Sequence, residues 1–270
     1  MIPLSARPLG NTGILVSPLG LGTVKIGRDQ GLKYPNRFKL PSDHEIRALF
    51  EEAKTLGINF IDTAPAYGTS EEKIGKLLLD RQDWIIGTKV GEEFSAGESD
   101  FDFSGAHTRE SVERSLRRLK TDYLDVVLIH SDGNDLDILE HTDCLESLMR
   151  LKEGGLIRAV GMSTKTVEGG KRALALSDVA MVTYNSSHTE DSSVIDLARR
   201  TGKAIIVKKA LNSGHIARER RGNELALEFV LNKAGVSSVI VGTINPLHLR
   251  SNALAVANFQ AEGSSNPAPG

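Results

Sequence analysis

Short runs of Ile, Val and Leu alternate along the chain with longer segments in which apolar residues recur every three or four positions. Apolar runs without polar alternation are typical of strands buried on both faces of a parallel sheet, and the longer spacing is typical of helices that bury one face. The runs predict eight strands, at Leu19–Leu21, Asn59–Asp62, Trp84–Lys89, Leu124–His130, Ile157–Ser163, Val179–Tyr184, Ala204–Lys209 and Ser238–Val241.

The helical segments fall between these strands. Ser42 followed by Glu45 has the spacing of a capping box, and Ser70 is expected to cap the next helix. Further helices are predicted over Thr108–Leu119, 144–153, 167–176, 191–201, 223–232 and 246–254. Eight strands alternating with eight helices predict βαβ units, and hence an α/β fold of the (β/α)8 TIM barrel type.

An open, doubly wound sheet is the alternative to the barrel, and it would carry a glycine fingerprint after its first strand. Gly20 and Gly22 begin such a pattern, but Lys25 stands where the third glycine belongs. The pattern therefore favours the barrel. Before it, residues 6–18 predict a short N-terminal β-hairpin that closes the barrel bottom. We predict one domain over residues 1–260 and a disordered tail over 261–270, which is rich in Gly, Ser and Pro.

The overall composition narrows the possible partners. The chain has 270 residues and a net charge of −2, which gives no reason to expect a nucleic-acid partner. Its longest apolar runs are far shorter than the roughly 20 residues of a membrane helix, so no membrane association is expected. A single cysteine, Cys144, excludes a disulfide framework. With no signal-peptide pattern at the N-terminus, these features predict a cytoplasmic protein.

Polar residues stand where several predicted strands end. Asp62, Lys89 and His130 end three successive strands, and Tyr67 follows Asp62 in the next loop. In a (β/α)8 barrel the carboxyl ends of the strands share one mouth, so these four side chains are expected to converge there. A phenol with a lysine ammonium beside it, which lowers its pKa, suits proton transfer to a carbonyl or from an alcohol. The set lacks the paired carboxylates of a glycosidase and the spaced Cys and His ligands of a zinc site.

Several longer segments resemble the aldo-keto reductase family from Leu9 to about Asn252. The matching stretches are GLGT (20–23), DTAPAYGTSEEKIGKLL (62–78), GTKVG (87–91), SLRRLKTDYLDVVLIHSD (115–132), GLIRAVGMS (155–163) and VSSVIVGTINPLHLRSN (236–252). The resemblance implies a (β/α)8 barrel, a nicotinamide cofactor and reversible reduction of a small carbonyl compound to an alcohol. It also implies that Asp62, Tyr67, Lys89 and His130 are catalytic, with Tyr67 as the general acid.

The same resemblance implies a set of cofactor-binding residues. These are Gly22, Thr23, Asp62, Ser163, Thr164, Lys208, Leu211, Ser213, Gly214, Gly242, Thr243, His248 and Asn252. Thr164 stands where the family usually has asparagine, and Lys208 stands where many members stack a tyrosine on the nicotinamide.

The family usually binds NADPH, but Ile244 and His248 stand where many members place a basic residue near the 2′-phosphate, so NADH use is also plausible. Phe94, Phe101 and Phe103 are candidate pocket walls in the loop over residues 91–107. The alternative hypothesis is a nucleotide-binding regulatory subunit with slow or vestigial reductase activity, as in relatives that associate with ion channels.

Overall fold

The apolar runs form the wall of a closed barrel. The protein is described by a computed structural model over residues 3–32, 38–211 and 221–265. Eight parallel strands close on themselves, each paired with its neighbour in chain order and the last with the first. This confirms the predicted (β/α)8 fold. The barrel strands are β3 (Leu19–Gly22), β4 (Phe60–Asp62), β5 (Ile85–Val90), β8 (Leu124–His130), β9 (Ile157–Ser163), β10 (Val179–Thr183), β11 (Ala204–Lys208) and β12 (Val236–Gly242).

The helices pack around the barrel because each buries one apolar face against it. In α2, for example, Ile46, Leu49, Phe50 and Ala53 are buried, and Ser42 forms the expected capping box with Glu45. The α-helices are α1 (Val24–Gly27), α2 (Asp43–Thr55), α3 (Ser70–Leu77), α4 (Gly105–Leu119), α5 (Asp135–His141), α6 (Cys144–Glu153), α7 (Val167–Leu176), α8 (Ser192–Thr201), α9 (Gly222–Leu231) and α10 (Pro246–Ser265). Short 3₁₀ helices span Pro65–Tyr67 and Arg81–Asp83.

A short hairpin covers the bottom of the barrel, as predicted. Its strands are β1 (Arg7–Pro8) and β2 (Leu15–Val16). Leu9, Ile14 and Val16 pack with side chains that fill the barrel interior. The amide of Asn11 also donates to the carbonyl oxygen of Gly202, just before β11 begins, at 2.8 Å. These contacts lie at the amino ends of the strands and leave the opposite mouth open.

Three local predictions differ from the structure. Residues 92–101 form a second hairpin, β6 (Glu92–Ser95) and β7 (Glu98–Phe101), instead of an irregular loop. Ser70 does not cap α3, because its hydroxyl lies inside the fold and bonds to Thr23 and Thr63. The last helix continues to Ser265, so it covers the first residues of the segment expected as a tail.

Candidate active site

A buried ion pair lies at the carboxyl ends of β4 and β5. Nζ of Lys89 donates to Oδ1 of Asp62 at 2.7 Å and to the carbonyl oxygen of Thr63 at 2.8 Å. Lys89 is only 1% exposed. Burial alone would lower the pKa of Lys89, but Asp62 and Tyr67 raise it above the ordinary value. The lysine is therefore a fixed ammonium at the barrel mouth.

Tyr67 lies directly beside this ammonium because of the turn that follows β4. The 3₁₀ helix Pro65–Tyr67 ends at Gly68, which has a φ of +61°. A side chain at Gly68 would be strained there, and its Cβ would lie 2.3 Å from the carbonyl oxygen of Gly27. Nζ of Lys89 lies 4.7 Å from the centre of the Tyr67 ring. The glycine therefore allows the close approach that brings the phenol over the lysine.

Burial and Lys89 have the two largest effects on the pKa of Tyr67, and they act in opposite directions. Burial raises the pKa of Tyr67 to about 12, and Lys89 offsets only part of this increase. The sequence predicts the lowering effect of the lysine but not the larger effect of burial. Near neutral pH the side chain is therefore a phenol, which can donate a proton.

His130 completes the expected group of four at the end of β8. Its ring meets that of Tyr67 edge-on, with the ring centres 6.3 Å apart and the planes at 84°. Its Nδ1 lies 2.7 Å from Oε2 of Glu92, on the β6–β7 hairpin. The ring N–H direction is not aligned with that oxygen, so Nδ1 lies close to the carboxylate but has no hydrogen-bond partner within the described residues.

Ser163 and Thr164 follow at the end of β9, with Lys208 facing them from β11. Nζ of Lys208 donates at 2.8 Å both to the Ser163 hydroxyl and to the Thr164 carbonyl oxygen. Burial, and then the charges of Lys209 and Lys89, lower the pKa of Lys208 to about 7. The Thr164 hydroxyl is buried and has no hydrogen-bond partner within the described residues.

The first and last barrel strands bring further expected residues to the same mouth. Gly22 ends β3 directly opposite Gly242, which ends β12. Thr23 is fully buried, and its hydroxyl donates to the carbonyl oxygen of Asp62 at 3.0 Å. The Thr23 side chain thus joins the ends of two strands.

A shallow cleft lies between α9 and α10, near the end expected to bind adenosine. Asn252 is 2% exposed, and its Oδ1 lies 3.5 Å from Nδ2 of Asn223. Asn223 has a buried Oδ1 with no partner within the described residues. Thr243 is buried after β12, whereas His248 is exposed on α10. Leu211 is the last residue described before a gap, and the expected sites Ser213 and Gly214 lie outside the described residues.

Two side chains of this region were missed by the sequence analysis. Glu92 lies in the segment interpreted as a loop, and only its pairing in a hairpin brings it to His130. Asn223 belongs to a predicted helix, and nothing in the helical pattern marks its amide as buried and unpartnered. Neither residue lies at the end of a barrel strand, and neither falls within the stretches that carry the family resemblance.

Two other kinds of site are not found within the described ranges. None of the helices in the described ranges combines the length and apolar character needed to cross a membrane. Over the same ranges, no cluster of three or more His, Cys, Asp and Glu side chains is arranged to hold a metal ion. The titratable groups described at this mouth are a phenol, ammonium groups, an imidazole and carboxylates.

Comparison with known proteins identifies the family. The model of the aldo/keto reductase family matches residues 18–224, which is most of the chain. This chain belongs to the aldo-keto reductases. The match begins just before β3 and continues into the start of α9, so it covers every element that carries the four converging side chains.

Individual aldo-keto reductases agree with this result. A crystal structure of a Pseudomonas aeruginosa protein assigned to the family is 55% identical, with a TM-score of 0.87 over 94% of this chain and 95% of that one. A Bacillus halodurans aldo-keto reductase in its holo form is 28% identical, with a TM-score of 0.80 over 94% and 91%. L-galactose dehydrogenase from Arabidopsis thaliana is 28% identical over 97% of this chain and 91% of its own length.

Proposed function

We propose that this aldo-keto reductase interconverts an aldehyde or ketone and the corresponding alcohol with a nicotinamide cofactor. The observation that carries the proposal is the arrangement at Tyr67. A buried ammonium, fixed by Asp62, lies under the phenol, and the imidazole of His130 lies edge-on beside it. Titratable groups whose pKa values are shifted by burial and by neighbouring charges are typical of sites for acid–base chemistry.

In reduction, Tyr67 is proposed to donate its proton to the carbonyl oxygen. The phenol is protonated near neutral pH because burial raises its pKa to about 12. Lys89 then stabilises the phenolate that remains, since its ammonium lies 4.7 Å from the ring centre. A bound nicotinamide supplies the hydride in this direction and accepts it in the reverse direction.

Two unpartnered polar atoms support the fit of such a cofactor. The buried Thr164 hydroxyl lacks a partner, and it adjoins Ser163, the residue that the resemblance assigns to the carboxamide. At the far end, the buried Oδ1 of Asn223 lies next to Asn252. An amide oxygen and an amide nitrogen can together bind the donor and acceptor edge of an adenine. We therefore propose the carboxamide near Ser163 and Thr164, and the adenine between α9 and α10.

The choice between NADPH and NADH depends on the cations near the adenosine end. Arg250, one turn of α10 from Pro246, donates to both carboxylate oxygens of Glu52 on α2, at 2.7 and 3.0 Å. This ion pair engages the guanidinium with Glu52, although the Arg250 side chain is 52% exposed. His248 is exposed on the same helix, two residues before Arg250. It is therefore the side chain of α10 that we expect to contact the phosphate. This arrangement favours NADH over the NADPH that is usual in the family.

The first test is a titration of the protein with NADPH and NADH, followed by the fluorescence of the reduced cofactor. The cofactor signal is preferable because Trp84, the one tryptophan, is buried at the amino end of β5, away from the mouth. We expect comparable or tighter binding of NADH. Markedly tighter NADPH binding would refute the argument from Arg250, and binding of neither would refute the oxidoreductase proposal.

The second test is turnover of an aldehyde, ketone and aldose panel. The Tyr67→Phe variant should bind cofactor normally and lose at least about a hundredfold in turnover, the usual contribution of a general acid. Tyr184→Phe is a matched control, because Tyr184 stacks on Phe229, with the ring centres 5.3 Å apart. Tight cofactor retention without turnover would instead support a nucleotide-binding regulatory subunit. The similarity to L-galactose dehydrogenase is the reason to include aldoses in both directions of reaction.

A further inference from the structure

Lys208 brings a positive charge to the part of the mouth where we place the nicotinamide carboxamide. It is the last residue of β11, and its Nζ donates at 2.8 Å both to the Ser163 hydroxyl and to the Thr164 carbonyl oxygen. These two contacts leave the buried Thr164 hydroxyl without a partner among the described residues. A carboxamide bound at Ser163 and Thr164 therefore brings its ring into the neighbourhood of Lys208.

The charge of Lys208 is not balanced by a carboxylate. Both acceptors of its hydrogen bonds are uncharged, and within the described ranges Lys208 belongs to no ion pair. Lys89, the other lysine of the mouth, is held 2.7 Å from Oδ1 of Asp62. Lys89 is thus a fixed ammonium, whereas Lys208 is free of a counter-ion that would hold its proton.

Most of the charge around Lys208 is positive. The titratable groups that act on it are Lys209 on the same segment, Lys89 from β5, Lys165 after β9, His130 from β8, Asp135 from α5 and Asp191 before α8. The Asp135 carboxylate is already engaged, since it accepts hydrogen bonds from the amides of Lys165 and Thr166. Burial and the neighbouring lysines lower the pKa of Lys208 to about 7, so its charged and neutral forms coexist near neutral pH.

The two redox forms of a nicotinamide cofactor differ by one charge on the ring. The oxidised ring is a cation and the reduced ring is neutral, while the phosphates and the adenosine are the same in both forms. Since like charges repel, an ammonium beside the ring opposes the binding of the oxidised form alone. For the same reason, the oxidised ring favours loss of the lysine proton.

We propose that Lys208 makes the choice between oxidised and reduced cofactor depend on pH, because its ammonium form accepts the neutral ring and disfavours the cationic one. The inference rests on the proposed oxidoreductase function and assigns this discrimination to one side chain. At low pH the charged lysine favours retention of the reduced cofactor and release of the oxidised one. At high pH the neutral amine no longer discriminates between the two forms.

The first measurement is the ratio of the dissociation constant of NAD⁺ to that of NADH, between about pH 6 and pH 9. NADH is followed by its fluorescence, and NAD⁺ by its displacement of NADH. The ratio should fall by at least about fivefold as the pH rises, the factor that two unit charges about 4 Å apart give in bulk water. A ratio that does not change with pH would overturn the inference, although the cofactor binds. Binding of neither form would refute the oxidoreductase proposal and the inference with it.

Two substitutions at position 208 separate the charge of the side chain from its titration. Lys208→Met removes the charge, so it should show at every pH the low ratio that the wild-type protein shows at high pH. Lys208→Arg keeps a charge that does not titrate in this range, so it should show the high ratio at every pH. If either variant retains the wild-type change with pH, another group is responsible and the assignment to Lys208 is wrong.

Proton release on binding provides a second measurement. Because the oxidised ring lowers the pKa of Lys208, binding of NAD⁺ near pH 7 should release roughly half a proton more than binding of NADH. Calorimetric titrations in two buffers with different enthalpies of ionisation measure this difference without any turnover. Lys208→Met should abolish it. Equal proton release with the two cofactor forms in the wild-type protein would overturn the inference.

Lys165→Met is the matched control for these experiments. Lys165 is an exposed lysine after β9, and its Nζ donates to the carbonyl oxygen of Asp132 at 2.9 Å instead of to Ser163. Its replacement removes one positive charge from the mouth and should leave the pH dependence of the ratio in place. If Lys165→Met abolishes that dependence as Lys208→Met does, the effect belongs to the net charge of the mouth and the proposed role of Lys208 is wrong.

Discussion

Replacing Asp62 with asparagine tests whether the Asp62–Lys89 pair fixes the lysine as an ammonium. The two side chains are 7% and 2% exposed, and their charged atoms are 2.7 Å apart. Opposite unit charges at that distance attract by about 6 kcal/mol at an effective dielectric constant of about 20. Removing one partner of a buried pair costs about 3–5 kcal/mol. Because asparagine keeps a hydrogen-bond acceptor, we expect the lower end, about 3 kcal/mol.

The effect should depend on pH in a defined direction. Burial would lower the pKa of Lys89, but Asp62 and Tyr67 raise it above the ordinary value. A raised pKa stabilises the folded protein at every pH below the unfolded value of about 10.4, and this stabilisation is lost as the pH rises through the folded value. Asp62→Asn should therefore be less stable by about 3 kcal/mol near pH 7, and the difference should shrink above about pH 10.

Denaturant unfolding of both proteins between about pH 7 and pH 11 measures this difference. The comparison is best made in a Tyr67→Phe background, so that the phenol does not titrate in the same range. Adding Lys89→Met to Asp62→Asn should recover part of the lost stability, because it removes the uncompensated ammonium. An unchanged free energy of unfolding near pH 7, or a double variant less stable than Asp62→Asn, would refute the reasoning.

Further predictions concern three other charged positions. Asp125→Ala should lower the free energy of unfolding by about 3–5 kcal/mol, since the fully buried carboxylate joins two arginines and a strand amide, whereas the exposed Asp122→Ala should change it little in the same melts. Lys208→Met should stabilise the cofactor-free protein near pH 7, because burial lowers the pKa of Lys208 to about 7 and the folded state disfavours its charge. The gain in the free energy of unfolding should fade towards about pH 10, and a gain that does not depend on pH would contradict this. His248→Arg should tighten NADPH binding at least about tenfold through charge-assisted hydrogen bonds and leave NADH binding unchanged, whereas the same substitution at the exposed Leu247 should not.

The barrel and its strand-end residues could be predicted because they depend on patterns that the chain carries locally. The strands Leu124–His130 and Ile157–Ser163 have the same bounds in sequence and structure, since continuous apolar runs flanked by polar turns leave little choice of register. Once parallel strands close into a barrel, their carboxyl ends must meet at one mouth. The convergence of Asp62, Lys89 and His130 therefore followed from topology alone.

The β6–β7 hairpin could not be predicted in the same way. Apart from Phe94 and Phe101 its residues are charged or small, without the apolar alternation of a half-buried strand. Its pairing also depends on a tight turn at Ala96 and Gly97, both with positive φ. The three phenylalanines expected as pocket walls also differ from one another. Phe94 stacks under Arg28, while Phe101 is exposed and stacks on the half-buried Phe103, which packs against the core.

The net shift in the pKa of a buried group could not be predicted from the sequence either. The presence of Lys89 near Tyr67 predicts a lowered pKa for the phenol. Burial of the phenol reverses the direction of that shift, and burial depends on how the residues of the barrel mouth pack together. The same holds for Lys208, whose ammonium is close to Ser163 only because β9, β10 and β11 are neighbours in the barrel. Motifs thus identify the candidate reacting groups, while packing determines their protonation.

The two halves of the site differ in how they are held. Asp62 and Lys89 are fixed by strand ends that the barrel itself requires, so the buried ammonium beside Tyr67 comes with the fold. Glu92 is held by a surface hairpin through Ser99 and Arg28, which the barrel does not require. A chain with the same barrel but another residue at position 92 would keep the phenol and ammonium and lose the carboxylate beside His130. The hairpin is therefore the element that can change the surroundings of His130 without disturbing the barrel core.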